Sequence, residues 1–424
     1  MKVKKILGLV FVVGMVMSTG CSAKTSSESK APESSSKEKT LTVWSRGNET
    51  DRQSQAFKDA VIQFEEQEGA TVDYQIIPHP DVVTKWNSAF ASGTAPDVMD
   101  VGIVHIVERI NLGHIVPLND FVDTWAGKDD IYPQILDIGT MNENIYAIGH
   151  LPDPQVFMYR KDMFAEAGLD PETPPANWDE LLEYAEKLTV KDEEGNITRG
   201  GIAVPTQSSR FMASILVRQN EGTFADETTG LPTMNSKEGI ETLEFMSKLH
   251  EYSTIFDNGK SETIPLFLDS AAMGYVANSQ LANYLEKNPD MVDKVGIIAD
   301  VPGKTDAAWC GVWFYSITSQ AENPELAWKF INFMTSKEIL TDRIASTGLA
   351  TPFASTAEEF IKLDPVLNEA IIGAIEVGAG NPKVSWAPLY EKALDTAGEE
   401  VFYGVKTPEE ALNDAQTKLL EEIE

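Results

Sequence analysis

The cysteines and histidines are the residues of this sequence with the greatest capacity for chemistry. Cys21 lies between an apolar segment and a tract rich in Ser, Lys and Glu, and Cys310 lies in the apolar segment AAWCGVWFYSI. Zinc sites use closely spaced pairs such as H-x-x-x-H and C-x-x-C, and the sequence contains neither pair. It also contains no P-loop and no G-x-S-x-G nucleophile motif. We therefore predict no metal site and no cofactor, and the histidines are scattered: His79, His105, His114, His150 and His250.

The residues before Cys21 have the layout of a secretory signal peptide, with basic residues, an apolar run and then the small residues STG. The apolar run is shorter than the roughly 20 residues that a membrane-spanning helix needs. We expect removal of residues 1–20 and lipidation of Cys21, as in a bacterial lipoprotein. Plain secretion is the alternative, because Ser18 stands where leucine is most usual. A disulfide with Cys310 is disfavoured, because residues 21–39 form a flexible tether between Cys21 and the folded part.

The composition restricts the classes of partner. The chain has 34 Lys and Arg against 66 Asp and Glu, a formal charge of −32. Such a chain repels nucleic acid and anionic lipid headgroups, so neither is expected as a partner. Its 424 residues exceed one usual hydrophobic core, and two domains are the natural number.

Strands alternate with helices along the rest of the chain. Leu41 and Val43 alternate with polar residues in a first strand that ends near Ser45, and Phe57 and Val61 mark the helix that follows. This alternation predicts an α/β fold with a mostly parallel sheet and helices on both faces. Further strands are predicted over ATVDYQIIP, PDVMDVG, RGGIAVP and DKVGIIADVP, and further helices over VTKWNSAFASG, NWDELLEYAEKLTV, SKEGIETLEFMSKLHEYS, NPELAWKFINFMTSKEIL and TPEEALNDAQTKLLEEI.

Three of these helices begin with residues that favour a helix N-terminus. Asn177 and Ser236 precede their helices as N-caps. Thr407, Pro408 and Glu410 form a capping box with proline at the first helical position.

Several segments, in this order, resemble the extracellular solute-binding proteins of carbohydrate ABC importers, the group that contains maltose-binding protein. The resemblance covers nearly the whole chain after the tether. Each segment alone is weak evidence, and their order carries the assignment: TLTVW, FASGTAPDVMDV, LGHIVPLNDF, FMYRKDMFAEAGLDPETPPANWDELLEYAEKLT, AAMGYV, VGIIADVPG, PELAWKFINFMTSKE, STGLATP and TPEEALNDAQTKL.

The resemblance implies the two-lobed fold of periplasmic binding proteins, of the class II type, with a ligand cleft between lobes joined by a hinge. It places lobe 1 at residues 40–150 plus 314–365, and lobe 2 at 151–313 plus 366–424. It implies a monomer that performs no chemistry and delivers a carbohydrate to the transmembrane subunits of an ABC permease, and through them to the ATPase. The lipid on Cys21 would hold it at the extracellular face of the cell membrane.

Ligands of open α/β sheets collect beyond the carboxyl ends of strands. A sugar needs aromatic side chains for its C–H faces and charged or amide groups for its hydroxyls, since an unpaired buried polar group costs about 1–3 kcal/mol. The first strand ends in VWSRGNET, where positions matching Trp44, Arg46, Asn48 and Glu49 include sugar contacts in the family. The loop after PDVMDVG adds His105. For each residue, packing or helix capping is the structural alternative.

The family resemblance places Asp153 where maltose-binding protein has a carboxylate that bonds the ligand. Arg210, with Gln207, follows a strand of the second lobe in VPTQSSRF. Many sugar binders carry Gly-Pro-Trp at residues 277–279, where this chain has Ala-Asn-Ser. The usual stacking tryptophan is therefore missing, and Asn278 is the candidate for a hydroxyl contact there.

Three tryptophans can replace that aromatic contact. Trp309 and Trp313 flank Gly311 at the predicted hinge, and Trp386 lies in the Pro-rich segment NPKVSWAPLYEKAL. Trp309 and Trp313 could equally belong to a core, because their segment is apolar throughout.

Two other functions stay open at this point. A secreted glycosidase would need two carboxylates across one bond, for which Glu49 and Asp153 are the available pair. A binding protein for glycerol phosphate, a polyol or a polyamine would need charged groups in its cleft. The cleft candidates contain more aromatic residues than cations, which favours a neutral sugar.

Overall fold

The computed structural model describes residues 40–206, 209–254, 266 and 269–423. The predicted signal peptide, Cys21, the tether and Gln207 fall outside these residues. The strands are β1 (Thr40–Arg46), β2 (Thr71–Ile77), β3 (Val98–Gly102), β4 (Thr140–Met141), β5 (Asn144–Ile145), β6 (Ile148–Arg160), β7 (Val190–Lys191), β8 (Ile197–Arg199), β9 (Ala225–Asp226), β10 (Leu231–Pro232), β11 (Met273–Ala277), β12 (Val295–Ile298), β13 (Ala308–Ile317) and β14 (Gly378–Ala379).

Helices follow most of these strands. They are α1 (Arg52–Glu68), α2 (Val82–Ser92), α3 (Ile106–Asn111), α4 (Asn119–Val122), α5 (Pro133–Ile138), α6 (Lys161–Glu166), α7 (Trp178–Leu188), α8 (Arg210–Gln219), α9 (Lys237–His250), α10 (Asn278–Lys287), α11 (Pro324–Met334), α12 (Lys337–Thr347), α13 (Ala357–Ile361), α14 (Pro365–Glu376), α15 (Ala387–Phe402) and α16 (Pro408–Ile423). Among the described residues, no helix is long and apolar enough to cross a membrane.

One sheet contains eight of the described strands, in the order β11-β6-β13-β3-β1-β2, with β12 paired to β6 and β14 to β13. The pairs β1–β2, β1–β3 and β13–β14 are parallel, whereas β13 runs antiparallel to β3 and β6, and β6 runs antiparallel to β11 and β12. The prediction of a mostly parallel sheet is therefore wrong. Only the β2–β1–β3 edge and the β13–β14 pair are parallel among these pairs, and the others are antiparallel. The reason is that the two longest strands, β6 and β13, run in opposite directions through the centre of the sheet.

The pairing of β6 with β13 contains one irregularity. Trp313 lies opposite Leu151 and Phe314 lies opposite Gly149, so His150 is an extra residue in β6. Such a β-bulge bends its strand and increases the local twist. It falls where the sequence analysis placed the boundaries after residues 150 and 313, and these lobe boundaries stay a prediction.

Two hydrophobic cores meet at β6. Because successive side chains of a strand point to opposite faces, Val156 and Met158 join one core while Phe157 and Tyr159 join the other. The first core, around Phe64, Trp86, Phe314 and Phe330, includes Cys310, which is fully buried. The second core contains α7, α8, α9, α15 and α16 side chains. The two faces of β6 therefore belong to different hydrophobic cores, and the division of the chain into two domains stays a prediction.

The predicted helix starts are confirmed. The Asn177 side chain accepts a hydrogen bond from the Glu180 N–H, and Ser236 accepts one from Gly239. The capping box also forms, since Thr407 N–H and Oγ1 each lie 3.0 Å from a Glu410 carboxylate oxygen.

Two local predictions are wrong. RGGIAVP does not continue as a strand after Arg199. Gly200 forms only an isolated parallel bridge with Ala271, and beyond it single hydrogen bonds, such as Ala203 N–H to Met273 O, replace a ladder. NPELAWKFINFMTSKEIL forms two helices, α11 and α12. The Thr335 hydroxyl donates to the Ile331 carbonyl and Ser336 has extended backbone, which ends α11.

Replacing Gly201 with alanine should destabilise the fold, because a Cβ at this position would lie 1.8 Å from the Ala185 carbonyl oxygen of α7. Overpacking of this kind costs about 1–3 kcal/mol. Urea unfolding followed by circular dichroism measures the loss. The matched control is Gly373→Ala in α14, where the nearest atom is 3.3 Å away and helix propensity favours alanine. Equal stability of the two variants would contradict the packing argument.

Candidate functional site

A cavity of about 340 Å³ lies at the carboxyl end of β1, beside the β6–β13 crossing. Its lining comes from β1 and the loop after it, from β6 and β13, from the start of α10, and from the end of α12 and the loop after it. We call it the cleft cavity and define it by Arg46, Asn48, Asp153, Ser279, Trp313 and Leu349. Four predicted ligand residues, Arg46, Asn48, Asp153 and Trp313, therefore lie together.

Arg46 is a cation without a partner in this cavity. Its guanidinium carbon lies 3.9 Å from the centre of the Trp313 ring, and the edge of that ring system faces His79. Among the described residues, no side chain or carbonyl forms a hydrogen bond or ion pair with the Arg46 guanidinium, although its backbone N–H donates to Asp100. Stacking holds the guanidinium plane while leaving its N–H groups free for a ligand.

Asp153 is fixed by the residue that replaces the missing tryptophan. Its two carboxylate oxygens accept hydrogen bonds from the Ser279 N–H and hydroxyl, each at 2.8 Å. Pro152 and Pro154 hold its backbone extended in β6. Burial raises the pKa of the Asp153 carboxyl above its ordinary value, and the bonds from Ser279 and the charge of Arg46 oppose this rise. Asn278, next to Ser279, is buried and its Nδ2 has no hydrogen-bond partner among the described residues.

A buried polar cluster lies behind Arg46, and the sequence analysis did not identify it. The ring Nε2 of His150 lies 3.1 Å from Asp100 Oδ1, and the Arg343 guanidinium donates to the His150 carbonyl. The His150 ring stacks on Tyr315 at 3.9 Å. Burial lowers the pKa of His150, which outweighs the attraction of Asp100. In the sequence, the only signal for this cluster is that His150 lies at a predicted lobe boundary.

The other predicted ligand residues of β1 and the loops beside it, Trp44, Glu49 and His105, do not line the cleft cavity. Trp44 packs against the first core, and Lys85 lies 5.0 Å from its ring centre. Glu49 is exposed and pairs with Lys58 at 2.6 Å. His105 packs edge-on against Trp86, and burial lowers the pKa of its ring.

A second group of predicted residues lies along α8 and α15. Arg210 forms an ion pair with Asp395, and its neighbour Phe211 contacts the Trp309 ring edge at 4.6 Å. Trp309 Nε1 donates to Asn381 at 3.1 Å. Phe211 therefore connects Arg210 with Trp309. None of these three residues lines the cleft cavity. Trp386 is buried in the second core, and its Nε1 donates to the Gly230 carbonyl at 2.8 Å.

No group of three or more His, Cys, Asp or Glu side chains suited to a metal ion occurs among the described residues. The cleft cavity instead combines an aromatic ring, a free guanidinium and a half-buried carboxylate. Such a set suits a ligand with both apolar faces and hydrogen-bonding groups.

The raised pKa of Asp153 predicts a pH dependence of stability. Between 3.8 and the raised pKa, the folded protein binds more protons at this site than the unfolded chain does. The contribution of Asp153 to the free energy of unfolding should therefore fall as pH rises through this range. Urea unfolding at a series of pH values above 3.8 should show wild type losing stability relative to Asp153→Asn.

The exposed Asp59→Asn on α1 is the control for the loss of one negative charge. Wild-type stability that rises with pH relative to Asp153→Asn, or that stays constant relative to it, would contradict the burial argument.

Comparisons with known proteins agree with this architecture. Residues 47–340 match the sequence profile of a family described as bacterial extracellular solute-binding protein. The galactooligosaccharide-binding protein of Bacillus subtilis is 22% identical over 96% of this chain and 94% of its own length. The glycerol-3-phosphate-binding periplasmic protein UgpB of Salmonella typhimurium is 25% identical over 82% of this chain and 85% of its own length.

Solved structures show the same fold. The sugar-binding protein MalE of Xanthomonas citri superimposes with a TM-score of 0.79 at 19% identity, covering 89% of this chain and 96% of that one. An ABC transporter solute-binding protein of Thermotoga lettingae, solved with α-D-tagatose, gives 0.75 at 22% identity, with 90% and 98% covered. These matches show the two-lobed fold of periplasmic binding proteins. The chain belongs to the bacterial extracellular solute-binding proteins.

Proposed function

We propose that the protein binds an oligosaccharide between its two lobes and delivers it to the permease of an ABC importer. The observation that carries the proposal is the unpartnered Arg46 guanidinium, stacked on Trp313 and lining one cavity with the half-buried Asp153. The stacked pair offers an aromatic surface beside free N–H donors, and Asp153 adds an acceptor. Sugar hydroxyls can use both kinds of group. The similarity to the galactooligosaccharide-binding protein of Bacillus subtilis and to the Thermotoga lettingae protein solved with α-D-tagatose supports a carbohydrate ligand.

The proposal includes no chemistry. The matched family consists of binding proteins. The glycosidase alternative needed Glu49 and Asp153 to face each other, but Glu49 points to Lys58 and does not line the cleft cavity. The glycerol phosphate alternative is weakened because Asp51 and Asp153 balance the two arginines of this cavity, Arg46 and Arg52.

Ligand-driven closure is consistent with the contacts between the predicted lobes. Arg52 of α1 pairs with Glu286 of α10 at 2.5 Å, and Lys383 pairs with Asp137 at 2.6 Å. Both pairs contain an exposed carboxylate, and such pairs contribute at most about 1 kcal/mol. A ligand bound to both lobes can therefore determine whether the closed state prevails, and the closed monomer would dock on the permease.

Oligosaccharide binding should change the intrinsic fluorescence of the protein, because Trp313 lines the cleft cavity. We expect a saturable response to maltose-, mannose- or galactose-series oligosaccharides. The Arg46→Ala variant should bind roughly 10- to 100-fold more weakly, since a hydrogen bond to a charged group contributes about 1.5–3 kcal/mol. Arg199→Ala, which removes an exposed pair with Glu166, is the control. A response to phosphate esters alone would refute the carbohydrate assignment.

We also propose that export and lipidation of Cys21 hold the protein at the extracellular face of the cell membrane. Two or more acyl chains anchor stably where one is marginal, and the tether lets the lobes reach the permease. Cys21→Ser should move the protein from the membrane fraction to the culture medium, as detected by immunoblot. Cys310→Ala, a change at a buried core residue, should stay with the membrane. Full membrane retention of Cys21→Ser would refute the anchor.

A further inference from the structure

A second cavity adjoins the cleft cavity within the first predicted lobe. It lies between α1 and α12, and its volume of about 420 Å³ falls in the range of roughly 300–1,000 Å³ usual for small-molecule sites. We call it the side chamber and define it by Ala56, Phe57, Tyr315, Ile339 and Arg343.

The side chamber and the cleft cavity are continuous in their lining. Arg46, Gln53, Leu151, Thr347 and Leu349 line both of them. The free guanidinium of Arg46 thus stands at their junction. A ligand held in the cleft cavity could extend past Arg46 into the chamber.

The lining of the chamber contains a second polar group without a protein partner. Tyr315 is only 2% exposed, and it lines the chamber. Its hydroxyl forms no hydrogen bond with a described residue, although the charges of Asp100 and Arg343 act on it. The hydroxyl oxygen keeps some accessible surface, so it is open to the chamber. A tyrosine hydroxyl can both donate and accept, and this one is therefore available to a hydroxyl group of a ligand.

The walls of the chamber indicate which kind of group fits. Phe57, Met334 and Ile339 contribute apolar surface to the lining, and Asp100, His150 and Tyr315 contribute polar groups. Carboxylates outnumber cations in the lining: Asp59, Asp100 and Asp342 against Arg46 and Arg343. An anionic group is therefore disfavoured, and a neutral hydroxylated ring matches a lining that has both apolar and polar groups.

We propose that the side chamber is a second subsite, which takes one sugar unit of the bound oligosaccharide and hydrogen-bonds a hydroxyl of that unit to Tyr315 Oη. The subsite rests on the proposed function, because it extends the same ligand. It predicts that affinity rises when the ligand is long enough to fill both cavities.

The first test removes only the hydroxyl. Tyr315→Phe should weaken binding roughly 3- to 10-fold for oligosaccharides that fill both cavities, and should leave binding of single sugar units unchanged. Calorimetric titration with maltose-, mannose- and galactose-series ligands of increasing length measures this. Tyr132→Phe, at a tyrosine of the same core that does not line either cavity, should change nothing. Wild-type affinity of Tyr315→Phe for every ligand length would overturn the proposed hydrogen bond.

The second test fills the chamber from α1. Ala56→Trp should abolish the gain in affinity with ligand length, whereas Ile62→Trp, on the same helix and 54% exposed, should keep it. If wild type binds none of these sugars, the proposed function itself fails and the subsite with it. If wild type binds them and Ala56→Trp retains the full gain with length, the subsite alone is refuted.

Discussion

At the crossing of β6 and β13, the extra residue His150 is held by its hydrogen bond to Asp100 and by the Arg343 guanidinium on its carbonyl. These contacts join three elements, since Asp100 belongs to β3 and Arg343 to α12. Burial keeps the imidazole neutral by lowering its pKa, so the cluster does not add a second cation beside Arg343. Because the bulge lies between Gly149 and Leu151, it sets where β6 turns toward the cleft, and thereby where Asp153 lies.

The same cluster explains why Arg46 is available. Asp100, the nearest buried carboxylate on β3, accepts from the Arg46 backbone N–H and from His150, which leaves the guanidinium on the Trp313 ring. Arginines elsewhere in the described chain, such as Arg160 and Arg210, have carboxylate partners. Arg218 and Arg343 also have no carboxylate partner, but their guanidinium groups donate to backbone carbonyls. The Arg46 guanidinium differs from them because it has no hydrogen-bond acceptor among the described residues.

Sequence reasoning identified the family, the two-lobed fold and the residues at strand ends, because these depend on local patterns and on the order of motifs. It predicted Arg46 and Asp153 from a strand end and a motif, and the structure brings them to one cavity. It did not identify the His150 cluster, because Asp100, His150 and Arg343 are distant in sequence and only the register of β6 and β13 brings them together. It placed Trp386 in a polar loop, whereas the second core accommodates the side chain through a hydrogen bond to the Gly230 carbonyl.

Recognition and closure depend on different parts of the cleft. The floor, made of β1, β6 and β13 side chains, is fixed by buried hydrogen bonds, so its geometry does not require a ligand. The rim contacts between predicted lobes, such as Arg52 with Glu286, are exposed and contribute little free energy. Under the proposed function, a ligand that contacts this floor and also touches α10 would supply most of the free energy that favours closure. Ser279 is suited to report this contact, because it starts α10 and already bonds to Asp153 of the floor.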